Sequence, residues 1–245
     1  MMKTKGSKLS VLVTSLALVI GLFMLYTQPR SSNTFSPNSL YEETVVIDAG
    51  HGGEDGGAVS VTGAIESHIN LDIALKTDEI FGLLGLKSLL LRDKDISLHD
   101  ATAETLRQKK VSDLKNRVSI INAAENPVVI SIHQNTYSSS KYHGAQVFYA
   151  NGELSLPLAQ ITQHTLKQAL DPNNNRQPAA VPDSVYLMKN ITCKAILVEC
   201  GFLSNYQEDT LLQTTEYQTK IAMALATSYI NYRQAEQEGE FFDAS

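Results

Sequence analysis

From residue 44 onward, short apolar runs alternate with longer segments in which apolar residues recur every three or four positions. The short runs indicate buried strands, and the longer period is that of a helix with one buried face. The pattern predicts strands near residues 44–48, 88–92, 128–132, 145–149, 185–188 and 195–199, and helices near 66–85, 111–124, 154–170 and 217–232. The second of these helices is predicted from Val111, Leu114, Val118 and Ile121, which share one face.

This alternation of strands and helices predicts the class of the fold. Runs of β-branched residues without polar alternation are typical of strands that are covered on both faces. We therefore expect an α/β fold, in which a single three-layer domain has a largely parallel central sheet of about six strands flanked by helices.

An apolar segment precedes this domain. Within residues 1–27, the run from Leu9 to Tyr26 has no charged residue and follows three lysines. A run of this length suits either a membrane anchor or a long signal-peptide core. Since no small-x-small cleavage site is visible near its end, we favour a retained anchor in the membrane through residues 9–26. The lysines place that end in the cytoplasm, so everything after residue 30 is expected outside.

The rest of the chain divides into a linker, a domain and a tail. Residues 28–43 are rich in Ser, Pro and Asn, which predicts a linker. The domain is expected at residues 44–232 and an acidic tail at residues 233–245. Four of the 20 basic residues lie in the first 30, so the remainder has 16 basic and 26 acidic residues and a net charge of −10. This balance excludes a nucleic-acid partner.

Two cysteines, Cys193 and Cys200, lie at the two ends of a predicted strand. At about 3.3 Å per residue their Cα atoms would be roughly 23 Å apart, whereas a disulfide requires less than about 7 Å. We expect two free thiols.

Three predicted strands end near a residue that can bind a metal or move a proton. His51 follows VVIDAG, His133 follows VVISI and Glu199 follows AILV, while Glu66 lies where the first helix begins. The carboxyl ends of parallel strands line the ligand crevice of α/β folds, so these residues are expected to converge. Two histidines and carboxylates fit a catalytic zinc site with three protein ligands. The residues alone leave open which carboxylate binds metal and which moves protons.

Each of these residues also has a purely structural interpretation. The glycines around His51 suggest a phosphate loop, but the spacing of such loops is absent and two acidic residues, Glu54 and Asp55, would repel an anion. His133 alone would be an ordinary core histidine, and Glu66 alone a glutamate that favours a helix N-terminus. Glu199 alone could be a strand-end carboxylate that reaches solvent. The hypothesis of a zinc site therefore depends on the four residues together.

Four blocks of the sequence resemble one known family. VIDAGHGGEDGGA, the Glu66 that begins a helix after Gly63, SIHQN and VECGFLSN are similar to the blocks of the zinc-dependent N-acetylmuramoyl-L-alanine amidases of the amidase-3 group. The resemblance covers residues 44–232, with Ala49 where such blocks often have proline. It implies that His51, Glu66 and His133 hold one zinc ion and that Glu199 is the catalytic base. The implied reaction is hydrolysis of the amide between N-acetylmuramic acid and L-alanine in peptidoglycan.

A finer resemblance, in GAQVFY, VYLM and VECGFLSN, is to the spore-cortex members of that family. It implies that the protein removes stem peptides so that muramic δ-lactam can form. It also implies that the protein is exported and acts in the intermembrane space of the forespore. Two alternatives stay open: a zinc peptidase that cuts within the stem peptide, and a non-catalytic wall-binding protein. Whether an accessory or activating protein is needed is also open.

Overall fold

The computed structural model describes residues 43–239. Its strands are β1 (Thr44–Ala49), β2 (Ser88–Leu90), β3 (Pro127–Asn135), β4 (Gln146–Tyr149), β5 (Ala179–Ala180) and β6 (Lys194–Phe202). Its α-helices are α1 (Glu66–Leu83), α2 (Leu106–Ala123), α3 (Leu156–Leu170), α4 (Tyr186–Lys189), α5 (Tyr206–Leu212) and α6 (Thr215–Glu238).

The six strands form one sheet in the order β2-β1-β3-β6-β4-β5. Strands β2, β1, β3 and β6 are parallel, whereas β4 pairs antiparallel with β6 and parallel with β5. The predicted α/β class and the largely parallel sheet are confirmed. The three central strands β1, β3 and β6 end side by side, and this edge of the sheet carries the site.

Alternate residues of the central strands enter two separate cores, one on each face of the sheet. On one face, residues such as Ile47 and Ile130 pack with α1, α3 and α6. On the other, Val46, Val129 and Leu197 pack with residues of α2 and α4. Both faces are covered, which accounts for the continuous apolar runs in the sequence.

Several elements differ from the predictions, and the short strand β5 and the helix α5 were not predicted. The segment 185–188 is not a strand, because Tyr186–Lys189 forms a helical turn. Leu187 and Met188 are buried in the second core, and a four-residue apolar run has the same composition in a buried turn as in a strand. The last helix, α6, runs to Glu238, past residue 232, where the domain was expected to end.

Helix α2 also differs from its prediction, in its start and in its buried face. It begins at Leu106 because Thr105 and Gln108 form a capping box, which satisfies exposed N–H groups of the first turn. Its buried residues include Asp113 and Arg117, while Val111 is 44% exposed. The buried face is therefore partly charged, and the reason lies in the site described below.

The predicted apolar segment at residues 9–26, most of the predicted linker and the end of the tail lie outside the described residues. Between residues 43 and 239, no helix combines the length and the apolar character needed to cross a membrane. Cys193 and Cys200 are both free thiols, as expected from the strand between them.

Candidate active site

The structure brings His51, Glu66 and His133 together at the carboxyl edge of the sheet. Oε1 of Glu66 lies 3.4 Å from Nε2 of His51 and 3.1 Å from Nδ1 of His133. The two imidazole ring centroids are 5.0 Å apart. One ligand atom from each of the three residues lies within 4.8 Å of the others. Their predicted convergence is thus observed, while their role as ligands stays a prediction.

The protonation of this group fits a cation site. Burial would raise the pKa of Glu66, but hydrogen bonds and charges from His133 and His51 hold that pKa far below its usual range. Burial would lower the pKa of His51, but the hydrogen bonds that its ring N–H groups donate to Asp55 and Glu66 raise it to about 9. In this geometry the His51 imidazolium supplies positive charge beside a buried carboxylate, which is a charge that a divalent ion would replace.

One outer contact orients His51 as in known metal sites. Nδ1 of His51 lies 3.1 Å from Oδ2 of Asp55, so its Nε2 is directed to Glu66. Metal-binding histidines usually donate their second ring N–H to a carboxylate in this way. The donor set and its outer contact therefore fit a zinc ion. Asp55 was not a predicted site residue, although its spacing of four from His51 brings it within reach in a tight turn.

Hydrogen bonds from residues of other segments and of its own helix hold the carboxylate of Glu66 in place. Its Oε2 accepts a hydrogen bond from the Ala58 N–H at 2.9 Å. Its Oε1 accepts from Asn70 Nδ2 and from the Gln134 N–H, each at 3.2 Å. Glu66 is 4% exposed, so these hydrogen bonds, rather than water, fix the orientation of its carboxylate.

Glycines are required around His51 because side chains there would occupy the site. A Cβ atom on Gly50 would lie 2.2 Å from the ring of His133, and one on Gly57 would lie 2.5 Å from Oε2 of Glu66. His51 itself has a φ of 62°, a strained conformation for a residue with a side chain, of the kind that persists at functional sites. The glycine-rich loop thus makes room for the imidazoles and carboxylate.

Two buried arginines hold the strained loop at His51 in place through hydrogen bonds to its backbone. Arg92 donates to the carbonyl groups of Ala49, at 2.9 Å, and Gly50, at 3.1 Å. Arg117 donates to the carbonyl of His51 at 2.7 Å and also to the carboxylate of Asp48. The chain leaves the sheet here, and these bonds satisfy carbonyl groups that have no partner in a neighbouring strand. Sequence reasoning missed both arginines, since neither lies in one of the four blocks that resemble the amidase family.

Glu199 lies beside the three-residue group. It pairs directly with His133 across β3 and β6, where neighbouring strands are about 4.8 Å apart. Its Oε2 is buried and has no hydrogen-bond partner among residues 43–239. Burial raises the pKa of Glu199 to about 7. A carboxyl group with that pKa exchanges a proton readily at neutral pH.

A cavity of about 300 Å³ opens beside Glu199 and the two histidines. One wall is apolar and includes Leu114, Val185 and Leu187, and the exposed rim includes the Lys110 ammonium. Lys110 lies 3.1 Å from Asp55. The helical turn α4, where a strand was expected, therefore supplies part of the wall of the site.

The other histidines of the described chain lie elsewhere. His68 pairs with Asp95 at the surface and His143 with Asp171. No other group of three metal-ligating side chains occurs within residues 43–239.

Comparison with known proteins gives a consistent result. The chain matches the Amidase_3 family, described as N-acetylmuramoyl-L-alanine amidase, over residues 45–231. A germination-specific N-acetylmuramoyl-L-alanine amidase of Bacillus subtilis is 33% identical over 231 residues, which span 92% of this chain and 95% of that protein. LytC, another N-acetylmuramoyl-L-alanine amidase of B. subtilis, is 25% identical over 195 residues, which span 80% of this chain and 36% of LytC.

Among solved structures, the CwlD amidase of Clostridioides difficile, in complex with the GerS lipoprotein, is similar with a TM-score of 0.75 at 40% identity. The similarity covers 78% of this chain and 98% of that chain. An N-acetylmuramoyl-L-alanine amidase of Clostridium difficile 630 has a TM-score of 0.68 at 26% identity, covering 79% of this chain and 97% of that chain.

Proposed function

The chain belongs to the Amidase_3 family and is an N-acetylmuramoyl-L-alanine amidase that acts on peptidoglycan, and we propose that it does so with one zinc ion held by His51, Glu66 and His133. The observation that carries this proposal is the carboxylate of Glu66 between two imidazole nitrogens, at 3.4 and 3.1 Å. A zinc ion there would polarise the scissile carbonyl and lower the pKa of water in the site.

The residues of the chain divide the remaining work. Asp55 holds the Nδ1–H of His51, so that Nε2 is available for a ligand. We assign proton transfer to Glu199, which accepts a proton from the attacking water and returns it to the departing L-alanine amine. Its unpaired Oε2 leaves it free to take that proton. The apolar wall of the cavity limits access of bulk water.

We further propose that the protein acts during maturation of the spore cortex, outside the cytoplasmic membrane. This proposal is supported by the germination-specific relative and by the similarity to CwlD. Since CwlD is recorded in complex with a lipoprotein, we propose that an accessory protein also binds this chain. The proposed division of the chain is a signal or anchor at residues 1–27, a linker at 28–43 and a catalytic domain from residue 44. Spores formed without the protein are expected to lack muramic δ-lactam, and normal δ-lactam content would contradict the cortex role.

The bond that is cut identifies the reaction. The zinc-loaded full chain is incubated with purified wall, and the products are sequenced by mass spectrometry. We expect peptides with a free L-alanine amine and muramic acid with a free lactyl carboxylate, with no cleavage after zinc is removed by a chelator. Peptides that begin at another residue would indicate a stem-peptide peptidase instead. Wall binding without cleavage under saturating zinc would indicate a non-catalytic protein.

A further inference from the structure

A second cavity, also of about 300 Å³, lies at the same edge of the sheet and is lined by Asn135, Tyr137, Tyr142, Arg176 and Phe202. We call these five residues the aromatic cleft. None of them lines the cavity beside Glu199. Nothing in the proposed chemistry uses them.

The aromatic cleft has an ordered arrangement of rings. Tyr142 stacks on Phe202 with centroids 6.2 Å apart and planes at 28°. Tyr137 meets Tyr142 edge-on at 4.8 Å. The guanidinium carbon of Arg176 lies 4.7 Å from the centre of the Phe202 ring. Phe202 itself is 3% exposed, so Tyr137, Tyr142 and Arg176 form the outer surface of this cluster, with two aromatic rings and one cation.

This surface is held in place before any ligand binds. Arg176 donates from Nε to the His143 carbonyl at 3.2 Å and from Nη1 to Gln146 at 3.0 Å. The Tyr137 N–H donates to Ser204 at 3.1 Å. Nevertheless Tyr137 is 58% and Tyr142 45% exposed. Large, adjacent, exposed aromatic side chains mark binding surfaces rather than core packing.

The position of the cleft relates it to the reaction. Asn135 lies two residues beyond His133 on β3, and Phe202 three residues beyond Glu199 on β6. At about 3.3 Å per residue, the cleft begins roughly 7 to 10 Å from the reacting groups. A substrate that extends away from the cleaved amide in this direction would contact it.

We propose that the aromatic cleft binds a sugar ring of the glycan strand that adjoins the muramic acid whose amide is cut, an inference that rests on the proposed function. The C–H face of a pyranose is apolar and packs on aromatic rings, while its hydroxyl and acetamido groups need polar partners. Asn135 and the Nη2 of Arg176, which has no acceptor within residues 43–239, supply those partners.

The two cavities differ in their charged residues, and this difference indicates which part of the substrate each cavity binds. The aromatic cleft has no carboxylate and one cation, which suits an uncharged sugar. The cavity beside Glu199 has an apolar wall and charges of both signs, with carboxylates that include Asp55 and Glu199 and the cations Lys110 and Arg117, which suits a stem peptide that carries both ammonium and carboxylate groups. The glycan strand thus lies along the ends of β3 and β6, and the peptide extends into the other cavity.

Binding of glycan alone tests this inference without cleavage. A peptide-free tetrasaccharide of alternating N-acetylglucosamine and N-acetylmuramic acid is titrated into the full chain by calorimetry. We expect Tyr137→Ala and Tyr142→Ala each to weaken binding by about tenfold. Tyr206→Ala is the matched control, because Tyr206 is 68% exposed and lines neither cavity. If Tyr142→Ala fails to fold, Tyr137→Ala alone is compared with the control, because Tyr137 is the more exposed of the two tyrosines.

Kinetics supply the second readout. With multi-sugar substrates the tyrosine variants are expected to lose about tenfold in kcat/KM, and with a single-sugar N-acetylmuramoyl peptide they are expected to match the unaltered protein. Tetrasaccharide binding that is absent, or equal in all variants, would overturn the inference, as would equal losses on both substrates. If the unaltered protein binds the tetrasaccharide but cleaves neither substrate, the proposed function fails and the cleft stands.

Discussion

Replacing Glu199 by glutamine is expected to reduce kcat by about 10²- to 10⁴-fold while the bound zinc stays at one ion per chain. Glutamine keeps the size of the side chain but cannot accept the proton from water. Glu199 is not one of the three residues grouped around Glu66, so metal binding should not depend on it. Turnover is measured on purified wall, and zinc by elemental mass spectrometry of the same sample.

Two further variants complete the test of Glu199. His51→Ala removes a proposed ligand, so it should lose both activity and zinc. Glu125→Gln changes an exposed glutamate that pairs with Lys87 at the surface, so it should lose neither. Full activity in Glu199→Gln would contradict the proposed proton transfer, and loss of zinc in that variant would place Glu199 among the ligands.

Replacing Arg117 by methionine is expected to lower the free energy of unfolding by about 3 to 5 kcal/mol, a large part of the 5 to 15 kcal/mol typical of a domain. Arg117 is 2% exposed and pairs with the buried carboxylates of Asp48 and Asp113. Burial alone would raise the pKa of Asp48, and the charge of Arg117 and the hydrogen bond from Ser131 lower it. Without the arginine, two buried carboxylates lose their counter-charge.

Urea unfolding measures this effect, with Lys115→Met as the matched control. Lys115 is an exposed cation on the same helix, so its replacement should change stability by less than about 1 kcal/mol. Adding Asp48→Asn to Arg117→Met should recover part of the loss, because one uncompensated charge is removed. If Arg117→Met were as stable as Lys115→Met, the buried ion pair would not support the loop at His51.

The α/β class could be predicted because the central strands are covered on both faces. That burial makes Val45 to Ile47 and Val128 to Ile130 continuous apolar runs, which the sequence displays directly. Residues 185–188 show the limit of this argument. They are apolar because they cover the second core and line the cavity, and composition alone does not distinguish a buried turn from a buried strand.

The convergence of His51, Glu66 and His133 could be predicted from the strand ends, because parallel strands share one carboxyl edge. The contacts that hold these residues in place could not be predicted. Arg117 occupies a helix that reads as mostly polar, and its burial depends on Asp48, 69 positions earlier in the chain. Asp55 was interpreted only as a charge that excludes phosphate, whereas its contact with His51 depends on the left-handed turn at that histidine.

The central claim is that one divalent ion is held by His51, Glu66 and His133. Anomalous diffraction at the zinc absorption edge, from crystals of the zinc-loaded protein, tests it most directly. We expect a single peak at about 2.0 to 2.2 Å from one nitrogen of each histidine and one oxygen of Glu66, with Glu199 adjacent but not bound. A peak bound by other residues, or no peak at this group under saturating zinc, would contradict the account.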